Sequence, residues 1–202
     1  MPSVYNLKPA FQGLLRPLVR GLARAGVTAN QVTLAAMLLS LTTGAAIALA
    51  PERTGLLLLL PLVLFLRMAL NAIDGMLARE HDQKTRLGAV LNELGDVGSD
   101  AALYLPLALA PGFSATLIVL IVLLAALSEM TGVITQTLGA SRRYDGPMGK
   151  SDRALVFGAV GLALGLGLSG AAWLNQLLGI VLLLLLWTVV NRARRGLAEP
   201  GH

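Results

Sequence analysis

Carboxylates and amides recur at helical spacing within the stretch LNAIDGMLAREHDQKTRLGAVLNELGDVGSD, in a chain otherwise rich in leucine, alanine, glycine and valine. Residues three or four apart share a helix face. Asn71, Asp74 and Ala78 therefore line one side of a first segment, with Gly75 beside them and Arg67 a turn earlier. Asn92, Asp96 and Asp100 form a second stripe, with Glu93 close to it. An oxygen-only donor set of this kind selects a hard divalent ion, Mg2+, Mn2+ or Ca2+, over zinc or copper. Carboxylates inside an apolar segment are costly unless paired, hydrated or bound to a cation, which makes each a functional candidate. Gly75, Ala78 and Gly88 remove side-chain bulk nearby, which suits close helix packing and equally a flat nucleotide lying against the backbone.

The elements that must position these groups are membrane helices. The 202 residues are 55% hydrophobic and only 13% charged, and apolar runs of roughly twenty residues suffice to cross a bilayer. Six such runs are expected, at about 29–50, 54–79, 86–110, 113–138, 152–170 and 172–192. The connections APER, PGFS and SGAAW are short and turn-like, which fits antiparallel neighbours in one compact domain spanning 1–202. A formal net charge of +5 does not indicate nucleic acid, because the basic residues lie between apolar spans and not on a polar fold. The absence of cysteine excludes disulfides, thiol nucleophiles and thiolate metal sites, and two histidines, His81 and His202, leave no basis for a zinc site or a Ser-His-Asp triad. Lys8, Pro9, Arg16 and Pro17 interrupt the N-terminal segment early, so no cleaved secretory signal is expected.

Lysine and arginine accumulate in loops that stay cytoplasmic. They cluster before the first span (Lys8, Arg16, Arg20, Arg24), between the second and third (Arg79, Lys84, Arg86), between the fourth and fifth (Arg142, Arg143, Lys150, Arg153) and after the last (Arg192, Arg194, Arg195). Both termini and the polar cluster are accordingly expected on the cytoplasmic side, in a bacterial inner membrane. Ahead of the first span, at about 5–25, Phe11, Leu14, Leu15, Leu18 and Leu22 share one helical face and Gln12, Arg16, Arg20 and Arg24 the other. That pattern predicts an amphipathic juxtamembrane helix on the membrane surface.

Read with gaps, Asn71 to Asp96 is N-x2-D-G-x2-A-R-x8-G-x3-N-x3-D. This resembles the signature of the CDP-alcohol phosphotransferase family, D-x2-D-G-x2-A-R-x8-G-x3-D-x3-D. Asp74, Gly75, Ala78, Arg79, Gly88 and Asp96 match, while Asn71 and Asn92 stand where the family has aspartates. The segment TANQVTL before the first span is similar to the family's Pro-Asn-x-x-Thr lead-in without its proline. The resemblance implies transfer of a substituted phosphate from a CDP-alcohol, commonly CDP-diacylglycerol, to a second alcohol with release of CMP, in phospholipid biosynthesis. It implies that Gly75, Ala78, Arg79 and Gly88 face the CDP moiety and that Asn71, Asp74, Asn92 and Asp96 hold Mg2+ or Mn2+, with Asp96 as the base. Homodimerisation is implied too, and the glycines of GAVGLALGLGLSG could form a close helix contact within one chain or between two.

An amide oxygen ligates a hard cation but brings no charge, so Asn71 and Asn92 leave the site two negative charges short of the family pattern. Glu93 or Asp100 fills the gap, or one metal binds, or the site binds nucleotide or lipid with little turnover. Asp100 could instead bond to Tyr104. Lys150 and Arg153 are the basic side chains placed to receive an acceptor's phosphate, against plain positive-inside bias; Arg67 either pairs with the acidic stripe or reaches phosphate; and Glu129 is assigned mainly to packing. A silent CDP-lipid-binding relative and a small ion-coupled transporter are the alternatives to a transferase.

Overall fold

A computed structural model describes residues 8–169 and 173–199, and helix is the only regular secondary structure among them. Seven α-helices follow in order: α1 Lys8–Arg24, α2 Ala29–Leu49, α3 Leu59–Glu80, α4 Arg86–Tyr104, α5 Ala115–Thr137, α6 Lys150–Gly165 and α7 Leu174–Ala198. Short 3-10 turns extend α3 backward over Thr54–Leu58 and α4 forward over Leu105–Leu109. The N-termini of α2, α4 and α5 are set by hydroxyl caps: Thr28, Thr85 and Ser114 accept from the backbone N–H three residues on, satisfying a donor that the first helical turn leaves open. Residues 5–7 of the expected surface helix, the connection at 170–172 and His202 lie outside the described residues.

Among the described residues, four helical segments are long and apolar enough to cross a membrane: Ala29–Leu49, Thr54–Glu80, Ala115–Thr137 and Leu174–Ala198. This is an integral membrane protein by length and composition. α4 falls short because Arg86, Glu93, Asp96 and Asp100 interrupt it, and α6 has only 16 residues, with Lys150, Asp152 and Arg153 at its start.

A large apolar core joins the ends of the helices remote from these charges, with Leu60, Leu103, Ile118, Phe157, Leu178 and Leu185 fully buried. A smaller one forms where α1 meets the bundle: Val19 is buried against Val32, Ile73, Met76 and Leu77. Leu14 and Leu18 on α1 stay exposed, while Arg16 pairs with Glu80 at 3.2 Å. The apolar face of α1 is thus divided between the bundle and the outside. The glycines of α6 have an intramolecular purpose: a Cβ at Gly161 would lie 2.7 Å from the Leu57 carbonyl oxygen, and one at Gly158 would touch Pro61. The face carrying Gly158 and Gly161 is closed against α3 and the turn before it within the chain.

α3 and α4 each pack on α2 more closely than on each other, and α6 packs along α3. The two polar stripes therefore face one another across a gap floored by α2, with the first turn of α6 at its side.

Candidate active site

Asn71 on α3 donates its amide to Asp96 Oδ1 on α4 at 3.1 Å. One turn deeper, Arg67 reaches Asp100 Oδ1 at 2.5 Å and donates to the Asp96 backbone oxygen at 3.0 Å. The stripes meet as their spacing requires. From α6, Lys150 donates to Asp96 Oδ1, so both side-chain donors on that carboxylate engage one oxygen. Among the described residues no protein donor reaches Asp96 Oδ2, and the side chain is 20% exposed.

Asp74 is 5% exposed. Its Oδ2 accepts from the Thr33 hydroxyl of α2 at 2.8 Å, and Asp96 and Lys150 are close enough for their charges to act on it. Every other buried carboxylate among the described residues, Asp100 and Glu129, sits in contact with guanidinium. Asp74 has a neutral hydroxyl instead. A buried carboxylate whose one side-chain partner is a neutral hydroxyl is costly to hold as an anion.

Two residues expected as substitute ligands are otherwise engaged. Asp100 has Arg67 on one oxygen and Arg153 on the other, at 2.5 and 2.8 Å. Both of its oxygens thus face guanidinium groups, and the Tyr104 hydroxyl expected to bond it is buried without a partner. Glu93 is held by Arg142 at 2.5 Å. Arg153, expected to receive an acceptor's phosphate, is 1% exposed and hydrogen-bonded to Asp100, Glu129 and the Met148 backbone oxygen. Glu129 belongs to this ionic network and is no simple packing residue. Asn92 is half-buried on the same α4 face.

The small residues have specific neighbours. A Cβ at Gly75 would meet the Arg79 guanidinium at 3.0 Å, and one at Gly88 would meet the Asn30 amide oxygen at 2.7 Å. Arg79 therefore folds back over Gly75, and Asn30, in the first turn of α2, closes on Gly88. Gln83 ties the α3–α4 connection to the same end of α2, accepting from Ala29 N at 2.7 Å and donating to Val27 O at 3.3 Å. Thr33, Asn30, Gln83, Arg142 and Arg192 were not singled out by spacing; the signal available for Thr33 and Asn30 was the lead-in motif itself. A cleft at the opposite helix ends, between Thr54, Leu57, Pro111 and Leu164, holds no ionisable side chain.

A profile of CDP-alcohol phosphatidyltransferases matches residues 26–192. The chain belongs to this family. "Inner membrane protein YnbA" of Escherichia coli (strain K12) is 53% identical over 192 residues, 95% of each chain. "Phosphatidylinositol phosphate synthase" of Mycobacterium tuberculosis (strain ATCC 25618 / H37Rv) is 35% identical over 97 residues, covering 48% of this chain and 43% of that one. In the crystal structure of the Mycobacterium tuberculosis phosphatidylinositol phosphate synthase PgsA1 with CDP-DAG bound, the fold superposes with a TM-score of 0.76, at 22% identity over 92% of this chain and 94% of that one. The same enzyme in complex with manganese and citrate gives 0.74 at 23% identity, over 92% and 90%. At these identities the likeness establishes the fold. In this family member the signature residues of α3 and α4 face one another around Asp74 and Asp96.

Proposed function

We propose that this chain transfers a substituted phosphate from a CDP-alcohol, with CDP-diacylglycerol as donor, to an alcohol acceptor and releases CMP. The observation that carries this reading is the unpaired burial of Asp74 beside an Asp96 whose Oδ2 is open. The donor types fit a divalent cation: carboxylates of Asp74 and Asp96, with amide oxygens of Asn71 and Asn92, are hard oxygen ligands suited to Mg2+ or Mn2+. Bound there, the cation supplies positive charge to the diphosphate and to the departing CMP.

The chain's own residues account for the remaining steps. Gly75 and Ala78 keep the α3 surface free of bulk where the cytidine lies in this reading, and Arg79, folded over Gly75 in the free protein, moves off it to donate to the phosphates. Asp96 Oδ2 accepts the proton of the acceptor hydroxyl as its oxygen bonds to the lipid-linked phosphorus. The bond from that phosphorus to the bridging oxygen breaks, and CMP leaves with the electron pair. Lys150 and Asn71, on Oδ1, hold the carboxylate in place while Oδ2 acts.

In this reading residues 1–202 form one membrane domain of six spans, with α4 and α6 crossing as the polar pair around the site. The exposed Leu14 and Leu18 lay α1 on the cytoplasmic surface, both termini are cytoplasmic, and lipid and soluble substrates meet at the water's edge. Homodimerisation is carried over from the family resemblance alone. The Asp96→Asn variant tests the assignment: loss of CMP release with an unchanged melting profile supports it, and wild-type turnover would remove Asp96 from the chemistry.

A further inference from the structure

Beside the proposed transfer site, three guanidinium groups from three different parts of the chain converge on one carboxylate. Glu129 of α5 meets Arg153 of α6 at 3.2 Å through Oε1, and Arg192 of α7 at 3.3 Å and Arg142 of the α5–α6 loop at 3.5 Å through Oε2. Arg153 and Arg192 are each 1% exposed and Glu129 is 8% exposed. The Arg142 Nε is buried with no partner. Converging, desolvated guanidinium groups are how proteins grip a phosphate dianion, since each planar fork offers paired donors. Here the chain supplies the anion itself.

The cradle is continuous with the chemistry. Arg153 also holds Asp100, Asp100 holds Arg67, and Arg67 donates to the Asp96 backbone oxygen. Lys150, one turn before Arg153, sits on Asp96. The cradle is thus linked to Asp96 through Arg153, Asp100 and Arg67. Glu93 bonds to Arg142 from the other side, so Arg142 and Arg153 each have a second carboxylate besides Glu129, namely Glu93 and Asp100 respectively, with Asp100 shared with Arg67. A phosphate entering the cradle would have to evict Glu129 and leave that carboxylate buried without a partner, a costly exchange.

We propose that Glu129 is a built-in anion that fills a phosphate-type cradle, and that the acceptor alcohol of this chain consequently carries no phosphate. The inference rests on the transferase reading for the word acceptor, but the cradle can be tested without turnover. Inorganic phosphate and glycerol 3-phosphate serve as probes, titrated against the full-length protein in detergent and followed by thermal melting and calorimetry. Wild type is expected to ignore both. Glu129→Gln, which keeps the shape and removes the charge, is expected to bind them at least about tenfold more tightly than wild type, because a desolvated charge-assisted contact replaces one already occupied. Binding of glycerol 3-phosphate by wild type as tightly as by the variant overturns the proposal, and so does a folded variant that gains nothing. Should Glu129→Gln fail to fold alone, refolding in phosphate supports the cradle, and failure to refold in phosphate counts against it. CMP release by wild type with glycerol 3-phosphate also overturns the proposal. Failure of the transferase reading looks different: no CMP release with any alcohol, phosphorylated or not, while the phosphate titrations still decide the cradle.

Discussion

At the scale of single residues, the site depends on how Asp74 is kept as a buried anion. Thr33 is its one side-chain donor among the described residues. Thr33→Val keeps the branched shape and deletes the hydroxyl, and leaving a buried acceptor short of a donor costs about 1–3 kcal/mol. The melting temperature of this variant is expected to fall and to recover in part with added Mn2+, because a cation replaces the lost partner. A loss that Mn2+ does not touch would place the ion elsewhere. Asn71 and Asn92 make the complementary case. Converting both to aspartate places two further charges around Asp74 and Asp96, so Mn2+ should bind about tenfold or more tightly, and the metal-free protein should be less stable because Asn71 would lose its donation to Asp96. Unchanged Mn2+ affinity would show that neither position faces the ion. The pairing of the stripes was legible from spacing alone, as Asn71 with Asp96 and Arg67 with Asp100 demonstrate. The occupation of the second Asp100 oxygen and of Glu93 was not. Their partners Arg153 and Arg142 lie on α6 and the loop before it, and no local periodicity reports a contact between distant segments.

At the scale of elements, the loop between α5 and α6 is fastened to the end of α7. Glu199 accepts from Ser141 N and Oγ and pairs with Arg143 at 2.6 Å; Asp145 pairs with Arg143 at 2.8 Å and Arg195 at 2.5 Å. This clamp aims Arg142 at the site. Partial burial works against the charged form of Asp145, but Arg195 and Arg143 outweigh it and hold the carboxyl below its ordinary range. Hydrogen bonds from Ser141, with help from Arg143, lower Glu199. A carboxylate depressed on folding contributes stability that is fully present above its unfolded pKa and is lost as pH falls through the folded one. The clamp is therefore intact at neutral pH and fails only below about pH 4, where ordinary carboxylates protonate. Melting of Asp145→Asn against wild type should show a gap at pH 7 that closes on acidification below that point. A gap that widens in acid would contradict the assignment. Helix ends at APER and PGFS were legible because turn residues mark them, whereas α6 stops at Gly165, short of what the apolar runs indicated, and α7 runs on to Ala198, beyond it. The division of the α1 apolar face was hidden, since periodicity shows that a face is apolar and not what covers each part of it.

At the scale of the whole molecule, the sequence pattern and the structure agree on a helical membrane protein, and the long apolar helices carry that agreement. The two polar helices are where length and hydropathy alone fall short. α4 and α6 carry charges that disqualify them as lipid-facing spans, yet Asp96, Asp100, Lys150 and Arg153 among them are paired across the bundle, the kind of pairing that ionisable side chains need inside a membrane. The signature around Asp74 and Asp96 supplied the family, while the acceptor selection proposed above rests on Arg142, Arg153, Arg192 and Glu129, which no part of the signature contains. The central claim is that α3 and α4 pool Asp74 and Asp96 to transfer a lipid-linked phosphate. Its most direct test is CMP release from CDP-diacylglycerol by the purified protein, with and without Mg2+ or Mn2+, across a panel of alcohols. Release that requires the cation and vanishes in Asp96→Asn is the result predicted here; no release with any alcohol, or release untouched by that substitution, would contradict it.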